Sequence, residues 1–175
     1  VRPSDIFSIL TRRVSVPPEC VALVWGESGT SAVAAAGRSI EAEGCRKLLF
    51  VRTTPFEFDY EFAELTSKDG FAVSANAGLS VAVGVDRAEA LAFSKTVMGS
   101  AETLSPERLR QHCETAVRGA VESFVKGRKA AELVTADAAE AFGDLLAEEF
   151  KSLAFESGLV LASSARFTAV SSDFV

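Results

Sequence analysis

The chain reads as an α+β domain, a twisted and mainly antiparallel sheet with helices packed on one face. Three observations set that class. Phe56, Phe58, Tyr60 and Phe62 alternate with Glu57, Asp59 and Glu61, the period of two expected of a strand with one apolar and one wet face. After Asp69-Gly70 the alternation resumes through Phe71, Val73, Ala75, Ala77, Leu79, Val81, Val83 and Val85, and Asp-Gly between two such runs is a strong hairpin signal. Beyond Asp86 the apolar spacing lengthens to that of helices, and strands followed by a run of helices indicate α+β rather than alternating βαβ units.

Taken in order, Val1–Ser15 reads as an N-terminal arm. It carries the apolar cluster Ile6, Phe7, Ile9 and Leu10, followed by Arg12 and Arg13. Such a cluster with arginines behind it suits contact with a lipid interface or a partner, and the plainer reading is an arm packed on the domain. Pro17-Pro18 marks entry into the fold, because two donors are lost there. Cys20–Trp25 reads as a central strand, Gly26–Gly29 as a turn, and residues 30–36 as a small-residue strand for which helix is the alternative. Gly37 and Gly44 bracket a polar segment, and Lys47–Thr53 is a further buried strand.

After the hairpin, Asp86 caps a helix with Glu89 completing a capping box, and Ala88, Leu91, Ala92 and Val97 supply its apolar face. Gly99-Ser100 stops it. Ser105-Pro106-Glu107 starts a long helix to Lys126, since a hydroxyl acceptor, a proline at the first position and an acid all favour a helix N-terminus. Leu109, Cys113, Ala116, Val117, Ala120, Val121 and Phe124 trace its buried face. A short turn through Ala130–Leu133 leads to Thr135, which caps a third helix with Ala139, Phe142, Leu145, Leu146, Phe150, Leu153 and Ala154 inward and Glu140, Asp144, Glu148 and Lys151 outward. Gly158 ends that helix in a left-handed conformation. Residues 159–170 form one last strand, and Ser171–Val175 is the exit to a further segment.

A length of 175 residues suits one domain that buries about 70% of its unfolded surface. The net charge of −6 argues against nucleic acid as a partner. No apolar run reaches the length a membrane-spanning helix requires, and residues 1–10 lack a signal peptide's basic start and apolar core. Because the sequence opens on valine, it reads as a fragment with room for an anchor beyond its ends. Cys20, Cys45 and Cys113 show no CxxC spacing and read as free, mostly buried thiols.

The sequence holds no constellation for catalysis, so we expect a non-enzymatic protein with no cofactor and no metal. His112, the sole histidine, neighbours Cys113 on a helix, where side chains one residue apart diverge too far to form a nucleophilic pair. Gly26-x-x-Gly29 lacks the lysine and helix of a phosphate loop. The row Glu57, Asp59 and Glu61 suits a solvated face, since calcium sites favour an oxygen-rich loop.

Several segments resemble, in order, those of the SPFH, or band 7, family of stomatins, prohibitins and flotillins. Val16–Val24 (VPPECVALV) is similar to the family's entry strand, Leu65–Val73 (LTSKDGFAV) to its central hairpin, and Val81-Ala82-Val83 to the strand that continues it. Glu107–Val121 resembles a helix of the family, and Phe155–Leu161 its run into the closing strand. Together they span residues 16–170. Gly99-Ser100 and Gly127-Arg128-Lys129 depart from the usual helix endings. The resemblance implies a band 7-like fold and an oligomerising scaffold at a membrane surface, peripheral or anchored from outside this segment. It also implies organised membrane or protein complexes, with a partner protease or channel as a regulated protein. The alternative is a soluble, cytoplasmic protein-binding module or shell component without lipid contact.

Overall fold

A computed structural model describes residues 13–27 and 31–171. The strands are β1 (Arg13–Ser15), β2 (Cys20–Gly26), β3 (Ser31–Ala34), β4 (Ser39–Glu41), β5 (Cys45–Arg52), β6 (Phe56–Thr66) and β7 (Ala72–Val83). Then come α1 (Arg87–Phe93), a π-helical turn (Ser94–Met98), α2 (Pro106–Lys126), α3 (Ala130–Leu133) and α4 (Ala136–Ser157). The fold closes with β8 (Leu159–Leu161) and β9 (Arg166–Ser171).

The α+β class and antiparallel pairing agree with the sequence expectation, but the strands divide among three sheets. β1 pairs with β4, β2 lies between β3 and β5, and β7 lies between β6 and the successive strands β8 and β9. Phe56 stands opposite Val81, Phe58 opposite Leu79 and Tyr60 opposite Ala77, so the long hairpin forms as its alternation requires. Its turn is wider than the Asp-Gly dipeptide implies. Ser67 and Phe71 close it through Ser67 N–H to the Phe71 carbonyl at 3.0 Å, and of Asp69 and Gly70 only Gly70 has positive φ, 87°. A bulge between Phe62 and Leu65, with Glu64 at φ 60°, bends β6 near the tip.

The apolar face of this sheet carries α2 and α4. Leu109, Cys113, Val117, Ala120, Val121 and Phe124 of α2 are buried as their spacing predicts, and Ala116 is half-buried. Phe142, Leu146 and Phe150 of α4 are buried too. Phe124, Phe142 and Phe167 meet with ring centroids 4.8 to 5.4 Å apart, which joins both helices to β9.

Several expectations are corrected. Arg13–Ser15, read as the end of the arm, is a strand of the fold. Ser39–Glu41 inside the polar segment is a strand as well. In α1 the buried residues are Ala90 and Phe93, continued by Val97 and Met98, while Ala88 is exposed. The π turn inserts extra backbone after Phe93, so a strict 3.6-residue spacing loses the inward face there. The expected last strand is broken: four residues separate Leu161 from Arg166, whereas two separate their partners Val81 and Gly78 on β7. Thr135 stands at the N-cap of α4, yet its hydroxyl donates to the Glu132 carbonyl at 2.9 Å and makes no side-chain cap. All three cysteines are free, but only Cys113 is buried.

Candidate functional surfaces

The arm residues Ile6, Phe7, Ile9, Leu10 and Arg12 lie outside the described residues, as do Ser28 and Gly29 of the expected turn and residues 172–175 of the expected exit. Arg13 is described. It stands opposite Glu41 in the β1–β4 pair, and their side chains form an exposed ion pair at 3.4 Å. The Glu41 carbonyl accepts from the Cys45 thiol at 3.0 Å, and Cys45 is the register partner of Gly26. The point where the arm joins the domain is therefore tied to the far end of β2.

At that end lies a feature that sequence reasoning missed. Trp25 and Lys47 are register partners on β2 and β5, and the Lys47 ammonium sits 5.1 Å from the Trp25 ring centroid. The π turn faces them. Trp25, Lys47, Leu91, Ser94, Lys95 and Gly99 line an open groove of about 360 Å³. The only sequence signal for it was a lone tryptophan beside a turn, and the lysines come from two segments whose proximity no local pattern records.

The acidic row behaves as a solvated face with one cation set into it. Glu57, Asp59 and Glu61 are exposed on the uncovered side of β6, and Arg166 of β9 reaches Asp59 at 3.0 Å and Glu57 at 3.8 Å. The Arg166 guanidinium lies over Gly78, where a Cβ would come within 2.7 Å of it. Ser80 donates to Glu57 at 2.5 Å. Exposed pairs of this kind contribute little to stability and mainly keep the face hydrophilic. Among the described residues no group of three His, Cys, Asp or Glu side chains is placed to hold a metal ion.

Burial shifts the titratable side chains along α2 and the facing strand. Burial pushes the Cys113 thiol up to about 12, so it is not a thiolate near neutral pH. Burial also pushes the Tyr60 hydroxyl upward, and that hydroxyl donates to the Arg110 carbonyl at 2.9 Å. His112 has a buried Nε2 with no hydrogen-bond partner, and desolvation holds the ring below the ordinary histidine value.

The hairpin tip is held to the helices by polar contacts. Asp69 accepts from the backbone N–H of Ala130 at 2.9 Å, the Ser67 hydroxyl donates to Asp69 at 2.7 Å, and Lys68 N–H donates to the Arg128 carbonyl at 2.8 Å. Arg110 and Arg118 of α2 lie over the rings of Tyr60 and Phe62, and Arg110 also donates to the Asp59 carbonyl at 3.2 Å. Among the described residues β6 pairs only with β7, and Arg110 occupies one of its backbone acceptors, at Asp59.

No helix among the described residues is long and apolar enough to cross a membrane. No curated protein matches the chain. The SPFH domain / Band 7 family matches residues 14–171, from β1 through β9, with the central hairpin and the helices that cover it inside the match. On that coverage and this fold, the chain belongs to the SPFH domain / Band 7 family.

Proposed function

We propose that this chain is a non-enzymatic scaffold domain that acts at a membrane surface, assembles with copies of itself and organises membrane or protein complexes. Family membership over residues 14–171 is the observation that carries this reading, since the family's general role is membrane-associated scaffolding. A partner protease or channel is the class of protein such an assembly would regulate. Ile6, Phe7, Ile9, Leu10, Arg12 and Arg13 are the residues that would make the lipid or partner contact, since they combine apolar side chains with adjacent cations. Copies packed head to tail would close into a ring or extend as a filament.

Sedimentation with vesicles, with and without residues 1–12, tests the membrane part. Binding that weakens on truncation is expected. Absence of binding in both forms would favour a soluble protein-binding or shell component, a reading that the net charge of −6 supports. Light scattering tests assembly, and a monomer at all concentrations in a form carrying its native flanks would oppose it.

A further inference from the structure

We propose that the groove between Trp25 and the π turn is a seat for the headgroup of an anionic phospholipid. The inference rests on the membrane reading above and names the part of the domain that touches the bilayer.

Three observations carry it. The groove pairs apolar surface, from Trp25 and Leu91, with two cations, Lys47 and Lys95, and both lysines are exposed. That mixture suits a ligand that is charged at one end and apolar at the other, and tryptophan beside lysine is favoured where a protein meets headgroups. Neither lysine forms an ion pair among the described residues, a state they share with other surface cations such as Arg38, Arg46 and Lys68; what sets them apart is that both line one groove. In a chain of net charge −6, two uncompensated cations on one concave surface make a local site for an anion. The third observation is position. Trp25 precedes Gly26, which is linked through Cys45 and Glu41 to Arg13, so the groove opens at the end of the domain where the arm attaches. An arm and a headgroup seat at one end can engage a single lipid surface together.

One of the two cations, Lys95, belongs to the π turn. Ser94–Met98 widens the helix by one residue per turn and closes on Gly99 at φ 56°. Lys95 lines the same groove as Lys47.

Trp25 is the sole tryptophan, so its emission reports on the groove without a label. The 175-residue chain is titrated with phosphatidylcholine vesicles, with phosphatidylcholine–phosphatidylserine vesicles and with inorganic phosphate. Binding is followed in parallel by sedimentation, and brominated lipid serves as quencher. The expected result is a blue shift and quenching with the phosphatidylserine vesicles alone. A basic residue near an anionic surface contributes roughly five-fold to partition, so Lys47→Gln with Lys95→Gln should weaken sedimentation by more than about ten-fold. Lys126→Gln, whose lysine is on α2, should change it little. Circular dichroism confirms that each variant is folded. Sedimentation without any change in Trp25 emission, and with the double variant unaffected, overturns the groove and leaves the membrane reading intact. No sedimentation with either vesicle overturns both. Saturation of the emission change by inorganic phosphate, without vesicle binding, overturns the lipid assignment in favour of a free anion.

Discussion

Asp69 at the tip of the β6–β7 hairpin accepts a hydrogen bond from the backbone N–H of Ala130, 61 residues further along the chain, at 2.9 Å. The carboxylate thus satisfies an otherwise orphaned donor in the first turn of α3, and the hairpin becomes the cap of a helix it does not adjoin in sequence. Asp69→Asn and Asp69→Ala should both lower the thermal midpoint by a few degrees, with alanine the worse. Calorimetry checks this. The Ser67 hydroxyl above all, then the Ala130 amide, holds the Asp69 carboxyl below the ordinary value of 3.8. Because the folded value is the lower one, this contribution is complete above the unfolded value and is lost as pH falls through the folded value. Asp69→Asn should flatten the acid limb below about pH 4, read as urea midpoints.

A second acid effect should appear at higher pH. Desolvation holds His112 below 6.5, so the unfolded chain takes up the proton first as pH falls. Stability is therefore complete above about 6.5 and declines as pH drops below it. His112→Gln should remove that slope below about pH 6.5 while leaving the Asp69 limb in place. A slope unchanged in the variant would show that His112 does not cause it.

Gly158 ends α4 at φ 66°, and a Cβ there would lie 1.8 Å from the Glu89 carbonyl oxygen of α1. Backbone is what it would strike, so relief requires α1 to move. Gly158→Ala should cost about 2–3 kcal/mol, from the left-handed conformation together with overpacking. Urea denaturation measures it, and a loss within about 0.5 kcal/mol would mean the α1–α4 junction yields easily.

Two phenylalanines on α4 make a matched pair. Phe142 is 0% exposed within the trio with Phe124 and Phe167, and Phe142→Ala should cost about 3–5 kcal/mol. Phe155 is 89% exposed, and Phe155→Ala should fall within about 0.5 kcal/mol. If Phe155→Ala instead raises solubility or reduces self-association in sedimentation velocity, that exposed ring is part of an interface between copies.

Local chemistry in the sequence was enough to determine the hairpin, the three main helices and most of their caps. The alternation of Phe56, Phe58, Tyr60 and Phe62 needs only a period of two, and Asp86, Ser105 and Gly158 act on backbone groups within a few residues. The tertiary structure decided what depends on segments distant in sequence. It divided the strands into three sheets, broke the last strand opposite Leu79 and Ser80, assigned Asp69 to Ala130 and brought Lys95 to the groove of Trp25 and Lys47. The physical reason is range. Turn, cap and amphipathic preferences are set by neighbours a few residues away, whereas a register shift, a helix capped from across the fold or a cluster of like charges exists only once packing has placed remote residues side by side.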